Sequence, residues 1–389
     1  MHPPTILLAL DLRSAWDRGV LTGIIERGRE RGWSLILSSP EYAVNDAAMW
    51  GATIVVTGAY TSPDRRAAMN GLQVITVTHD QSRDGIPSVT IDEAAVGELA
   101  ARHLLATGLR HMSAFTYDHS PFGRARTAAF RHTVESAGAT FHAGGEFSNN
   151  PADPDFCSHE AIDAWLASLP KPCGVFAACD NWARPVATFC RHRDLRIPED
   201  ISLVGVDNDR FVCELLSPPL SSVAVPWREM GNIVARMIDD HLNGRPIDPL
   251  KVDVKPIGVV TRRSSDVLAI DDPEVAAAVA WIRRNANRPI SVPDILRAVP
   301  TYRQKLERRF RAVLGRTVMD EVRRAHVDLA KSLLMTTQLA MPEIATASGF
   351  SNATLLGIAF RRETGLKPSE YRRRFRTASG GGEDEETTF

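Results

Sequence analysis

No stretch of the sequence approaches the about 18 uninterrupted apolar residues needed to span a bilayer, so a membrane-spanning role is excluded. The five cysteines, Cys157, Cys173, Cys179, Cys190 and Cys213, are odd in number and lack CxxC or HxxxH company. That excludes a disulfide framework and a zinc site, and the thiols are expected reduced and mostly buried. There is no G-x-G-x-x-G after a strand and no G-x-x-x-x-G-K-[ST], so the phosphate cradles of dinucleotide and nucleoside-triphosphate sites are missing. Nor is there a G-x-S-x-G elbow or a metal-spaced histidine pair. No cofactor or metal is expected, and the chain is not expected to be an enzyme. The opening Met1-His2-Pro3-Pro4-Thr5 runs straight into Ile6-Leu7-Leu8-Ala9-Leu10 with no basic region before it and no small-residue cleavage site after it. A buried first strand and a cytoplasmic location are the expectations.

Net charge is also nearly absent, at −1 over 389 residues, but it is unevenly spread. Residues 271–378 carry 20 Lys and Arg against 11 Asp and Glu, residues 1–270 carry 26 against 32, and the end adds Glu383, Asp384, Glu385 and Glu386. A local basic excess is what a nucleic-acid-binding module requires and what an average pI conceals.

Up to about residue 225, short β-rich apolar runs alternate with helical patterns. Strands are expected at Ile6–Asp11, Leu35–Ser38, Thr53–Thr57, Val74–Thr78, Ser88–Ile91, Ser113–Thr116, Val175–Ala178, Leu203–Val206 and Ser222–Val225. Trp16–Arg31, Glu93–Thr107, Arg124–Ala137, Phe156–Leu169 and Arg184–Arg193 read as helices between them. Such alternation implies parallel sheets with helices on both faces, and nine strands suit two consecutive units. After Arg262-Arg263-Ser264-Ser265-Asp266 the pattern becomes wholly helical. The expected domains are residues 1–268, a two-lobed α/β module, and residues 269–378, an all-α module. The Gly-rich acidic residues 379–389 are expected to form a disordered tail.

In the helical part, Ser291-Val292-Pro293-Asp294 begins a short helix, and a turn at Pro300-Thr301 leads to Tyr302–Leu314. There Leu306, Phe310 and Val313 are read as the buried stripe, with Arg303, Gln304, Glu307, Arg308 and Arg311 pointing elsewhere. This is the outline of a helix-turn-helix, and it occurs twice. After a long helix, Met319–Thr336, come Pro342-Glu343-Ile344-Ala345, Ser348-Gly349-Phe350 and a helix Asn352–Thr364 with Leu356 and Phe360 buried. The run Ile344-Ala345 … Gly349-Phe350 … Phe360 … Gly365 … Pro368 … Tyr371-Arg372 resembles the second-unit signature of the AraC family. Leu306 … Phe310 … Gly315 with Arg323-Arg324-Ala325 … Ala330 … Leu333-Leu334 resembles its first unit and connecting helix.

That resemblance implies that each unit lays its second helix in a successive major-groove segment of double-stranded DNA. Arg303, Gln304, Glu307 and Arg308 are then the base-reading candidates of the first unit, with phosphate contact or solvation as the other reading of each. Arg pairs with guanine and Gln with adenine, each worth roughly 1–3 kcal/mol of discrimination. The second reading helix departs from the pattern: Ala353, Thr354, Gly357 and Ile358 offer almost no hydrogen bonds, leaving contact with a thymine methyl. The first unit is therefore expected to carry most specificity, with Asn352, Arg361 and Arg362 holding the backbone and Thr354 beside them. Tyr302 and Ala340 stand where a hydroxyl cap is usual, a loss of about 1 kcal/mol each.

The segment Ile201-Ser202-Leu203-Val204-Gly205-Val206-Asp207-Asn208, followed by Leu216-Ser217-Pro218-Pro219-Leu220-Ser221-Ser222-Val223, resembles the sensor domains of LacI/GalR-type regulators, which have a periplasmic-binding-protein-like fold. Asp180 after its strand, Arg126 with Phe130, and Met230-Gly231 extend the likeness, while that family's N-terminal DNA-binding segment is absent. The resemblance implies two lobes closing on a monosaccharide, a pentose such as xylose first. Asp207 and Asp180 would accept sugar hydroxyls, Arg126 would donate to ring and hydroxyl oxygens, and Trp16, with Asp17 beside it, would stack on the ring. Each has a second reading: Asp207 and Asp180 as caps, Arg126 as partner of a structural acid, Trp16 as core. His79 and Asp80 are weaker candidates. A homodimer on promoter half-sites, activation of sugar catabolic genes and contact with RNA polymerase are further implications. A periplasmic receptor would need a leader and no basic module; a sugar-modifying enzyme would need a catalytic constellation, for which paired acids at strand ends are the nearest substitute.

Overall fold

The computed structural model describes residues 3–12, 14–58, 71–77, 85–117, 120–148, 157–266 and 272–375. His79 and Asp80, the expected boundary at residue 268 and the expected tail lie outside them.

Strands β1 (Thr5–Ala9), β2 (Ser34–Ser38), β3 (Ile54–Thr57), β4 (Gln73–Val77) and β5 (Ser88–Ile91) begin one sheet; β6 (His111–Tyr117), β7 (Thr140–His142), β8 (Glu146–Phe147), β9 (Cys173–Ala177), β10 (Ile201–Asp207) and β11 (Ser221–Ala224) begin another. The chain then returns to each, adding β12 (Lys251–Val254) beside β5 and β13 (Gly258–Val260) beside β11. The first sheet, in order β12-β5-β4-β3-β1-β2, is parallel throughout, and the second is parallel except for β13. Central strands such as Ile54–Thr57 and Cys173–Ala177 are buried on both faces, the reason they read as unbroken apolar runs.

All nine expected strands form, but the two units are not simply consecutive. The chain crosses between lobes after Ile91, after Ala224 and after Val254. The strands missed in the sequence are the two-to-four-residue edge and return pieces, too short to show a period.

Helices α1 (Ala15–Arg31) and α2 (Ala43–Trp50) belong to the first lobe. Helices α3 (Glu93–Leu105), α4 (Pro121–Ser136), α5 (His159–Ser168), α6 (Asp180–His192) and α7 (Arg210–Leu215) belong to the second, and α8 (Trp227–Leu242) returns to pack on α1. Two contacts are so close that only glycine fits. A Cβ at Gly97 of α3 would stand 2.1 Å from the Arg126 carbonyl of α4, and one at Gly231 of α8 would stand 2.1 Å from the Val20 carbonyl of α1. The first contact fixes the helix that carries Arg126.

The helical part comprises α9 (Pro273–Arg284), α10 (Val292–Ala298), α11 (Arg303–Leu314), α12 (Val318–Thr336), α13 (Met341–Ala347), α14 (Ala353–Thr364) and α15 (Pro368–Phe375). The long helix α12 serves two cores: Val318 and Val322 pack with Ile295, Leu306 and Phe310, while Val327, Ala330 and Leu334 pack with Ile344, Leu356 and Phe360. The second core continues into Ala224 and Val260 of the second sheet, so apolar contact joins the two parts. One reading needs correction. Val313 is exposed in the last turn of α11, which ends one residue later at Leu314 with Gly315 as its cap, and Leu314, four residues beyond Phe310, packs on the core instead.

Candidate ligand cleft and nucleic-acid interface

The carboxyl ends of the strands bring polar groups of both lobes together. Arg126 is fully buried. Its Nε donates to Glu93 Oε2 at 2.5 Å and its Nη1 to the Ala178 carbonyl at 2.7 Å, while Nη2 has no hydrogen-bond partner among the described residues. Burial opposes its charge, but Glu93 and then Asp207 outweigh that and hold its pKa above the ordinary value. Asp207 ends β10 with φ at +106°, a region costly for a residue with a Cβ. Burial raises its pKa well above the carboxylate range, opposed by Arg126 and reinforced by Asp180 and Glu93. The Phe122 ring lies 4.8 Å from the Arg126 guanidinium carbon and stacks on Trp182 at 5.3 Å, with Tyr117 edge-on to Trp182 at 5.0 Å.

In the first lobe, on the helix that also carries Arg18, Asp17 is buried. Its Oδ2 accepts from the Asp11 N–H at 2.8 Å, and its Oδ1 has no partner among the described residues. Burial pushes its pKa up to about 6. The lobes are tied directly by Arg18 of α1, which donates from Nη2 to Asp209 Oδ2 of the second lobe at 2.8 Å.

Two sequence candidates take structural places. Asp180 is 1% exposed, and both its oxygens are engaged: Oδ1 accepts from Ser222 Oγ (2.6 Å), Oδ2 from the Asp209 N–H (2.8 Å) and Cys213 Sγ (3.4 Å). Burial raises its pKa to about 7. It shapes the loop after Asp207 rather than offering a free acceptor. Trp16 is 7% exposed and packs in the core against Trp227, ring centroids 5.9 Å apart, so it is not an open platform. Glu93, Arg18, Asp209 and the aromatic trio were not read from the sequence. Only Glu93, an acid two residues after the end of β5, carried a local signal there.

From the cleft a chain of hydrogen bonds runs to the helical part. Asn208, itself at φ +52°, donates its N–H to Ser222 Oγ at 2.9 Å, and Arg262 Nη2 donates to Asn208 Oδ1 at 2.7 Å. The Arg262 N–H donates to Ser221 Oγ (2.7 Å), which also accepts from Ser265 Oγ (2.7 Å), and His103 Nε2 lies 2.7 Å from that hydroxyl. Next to Ser265, Asp266 pairs with Arg283 of α9, which lies 3.8 Å from Glu321 of α12. A cavity of about 570 Å³ opens at this junction, lined by His103, Arg262, Asp266, Arg283 and Asp328 among others. Burial lowers the His103 pKa to about 4.

On the helical part, Arg303, Gln304 and Arg308 stand exposed along α11, and neither arginine has an ion-pair partner among the described residues. Their neighbours do: Lys305 reaches Glu274 at 2.6 Å and Arg309 reaches Asp272 at 3.1 Å. Glu307 is half-buried and its Oε2 has no partner among the described residues. On α14, Thr354, Leu355, Ile358, Arg361 and Arg362 are exposed, while the side chain of Asn352 caps the helix by accepting from the Leu355 N–H at 2.9 Å. Tyr302 and Ala340 supply no side-chain cap; at Ala340, Glu343 Oε2 accepts the backbone N–H instead, at 2.6 Å.

The chain matches the model of a periplasmic binding protein-like domain over residues 101–265 and that of a helix-turn-helix domain over residues 295–374. It is 26% identical over 380 residues to the xylose operon regulatory protein of Escherichia coli strain K12, spanning 94% of this chain and 96% of that protein. The protein of the same name from Haemophilus influenzae is 28% identical over 297 residues, 74% of each chain. The solved structure of a xylose-binding transcription activator superposes with a TM-score of 0.59 at 25% identity, covering 97% of this chain and 100% of that one. Over nearly its full length this chain is thus similar to the xylose operon regulatory proteins, and it carries a periplasmic binding protein-like domain followed by a helix-turn-helix domain.

Proposed function

We propose that the chain is a sequence-specific DNA-binding transcriptional regulator, an activator of sugar catabolic genes, whose effector is a monosaccharide bound between the two lobes. Xylose or a related pentose is the first choice, from the relatives' names. The observation that carries the reading is the pair of buried, unsatisfied groups at the cleft, Arg126 Nη2 as donor and Asp17 Oδ1 as acceptor. A buried polar atom left unpaired costs about 1–3 kcal/mol, and sugar hydroxyls, which donate and accept at once, relieve both signs. Asp207 beside Arg126 adds a second acceptor.

Sugar acts by population shift. It favours one arrangement of the lobes, and the hydrogen-bonded chain through Asn208, Arg262 and Ser265 carries that preference to α9 and α12. In this reading residues 1–268 sense, residues 269–378 bind promoter half-sites as part of a homodimer that also meets RNA polymerase, and the protein works in the cytoplasm without catalysing a reaction. Among the described residues no helix is long and apolar enough to cross a membrane. A thermal-shift series over monosaccharides tests the sensor. A ligand at 100 times its Kd adds about 2.7 kcal/mol, so xylose or another pentose raises Tm by several degrees without turnover. No shift with any pentose or hexose overturns the sugar assignment and leaves DNA binding standing.

A further inference from the structure

The two reading helices occupy equivalent places in their units and present opposite chemistry. Where α11 offers Arg303, Gln304 and Arg308, α14 offers Thr354, Leu355 and Ile358, the last two 48% and 64% exposed. Gly357 opens the surface between them: a Cβ built there meets nothing within 4 Å. Beside it lies a groove of about 370 Å³ lined by Met341, Ala353, Leu356, Gly357, Ile358, Lys367 and Pro368 among others. The one amide at the start of the helix, Asn352, spends its oxygen on the cap.

The geometry points to α14 as a reader of thymine methyl groups, seating Ile358, Leu355 and the Thr354 methyl against the C5-methyls of an A·T-rich major-groove segment. This rests on the proposed DNA-binding reading and changes what the second unit does within it. Among base edges in the major groove only thymine presents an apolar group. The patch is committed to DNA rather than to a protein by what surrounds it. Arg361 and Lys367 border it and Arg362 is exposed on the same helix, none of the three forming an ion pair among the described residues, in a module with 20 basic against 11 acidic residues. A protein-docking patch would leave these cations facing a partner with no stated reason for its charge, whereas phosphates flank any major-groove segment. Gly357 lets the helix backbone approach the base edges, so that short apolar side chains reach the methyls.

The test uses the full-length protein and a duplex selected by it from random sequence in the presence of effector. Each thymine in the segment protected by the second unit is replaced by deoxyuridine, which removes one methyl and keeps every hydrogen-bonding group. The expected loss is about four-fold in affinity for each methyl contacted, and Ile358→Ala, at an exposed position, reduces the difference between thymine and uracil duplexes by the share of the methyls that Ile358 covers. Replacing the same positions by cytosine weakens binding, and 5-methylcytosine restores part of it. Equal affinity for thymine and uracil duplexes overturns the inference. So does an I358A variant that discriminates the two as the parent does, or one that binds DNA unchanged and loses only transcription activation, the sign of a protein partner on this face. Failure to select any duplex would instead sink the DNA-binding reading itself.

Discussion

The cleft and the reading helices use the same residue types under opposite conditions. At the cleft, Arg126 and Asp17 are buried and Asp207 half-buried, all three with shifted pKa values and Asp207 with its backbone at positive φ; Arg126 is fixed by Glu93 and Ala178, far away in sequence, and Asp17 by the Asp11 N–H. On α11, Arg303, Gln304 and Arg308 stand in solvent on a regular helix and owe their direction to the 3.6-residue period alone. Energy is therefore stored at the sensor and nearly absent from the reader. Mutations should damage folding and sensing together at the cleft, and recognition alone at the helices.

The largest effect is expected at Arg126. Arg126→Met removes the cation that faces the buried Glu93 carboxylate, a loss of about 3–5 kcal/mol measurable by urea unfolding. Adding Glu93→Gln returns part of the stability but not the sugar response. If R126M unfolds at the parental midpoint, the contrast with the reading helix fails. Next comes Arg308→Ala, which should leave the unfolding midpoint unchanged and cost roughly 1–3 kcal/mol of preference at one base position of each half-site. A uniform loss over all sequences would make Arg308 a phosphate contact instead.

Arg262→Ala separates the two regions. Sugar affinity should change little, while the effect of sugar on DNA affinity falls toward none, because the side-chain bond from Arg262 to Asn208 is cut and only the backbone N–H to Ser221 remains. Equilibrium DNA binding with and without sugar reads this, and an undiminished response would show that coupling runs elsewhere.

The smallest expected effect is in pH. Burial raises the Asp17 pKa from 3.8 to about 6, so the free fold prefers its neutral form and loses that contribution as pH rises from about 4 to 6. A sugar hydroxyl donating to the carboxylate prefers the charged form. Affinity should therefore rise with pH up to about 6 and level off, with a proton released on binding at pH 5. Asp17→Asn should flatten that part of the titration, which calorimetry at pH 5 and 7 would detect.

The same contrast explains what the sequence disclosed. Helix periodicity and caps are local, so α10, α11, α13 and α14 were placed within a residue or two, and only Val313 went to the wrong side at a helix end. The buried central strands were legible as apolar runs. The edge strands β7 and β8 and the returns β12 and β13 were not, because their pairing is set by partners far along the chain. Asp207 and Asp180 were found as acids at strand ends, Arg126 through the family resemblance and Asp17 beside Trp16, yet their partners are visible only after folding. Nothing near Arg18 announces Asp209, 191 residues away, and nothing near Asp180 shows that Ser222 and Asp209 take its oxygens.

The claim that cleft and reading helices form one coupled system is tested most directly by linkage. Sugar affinity is measured for the free protein and for the protein saturated with its selected duplex, and DNA affinity is measured with and without saturating sugar. The account predicts that the two ratios are equal and lie in the range of about 5 to 150. Sugar affinity that is the same on and off DNA would contradict it.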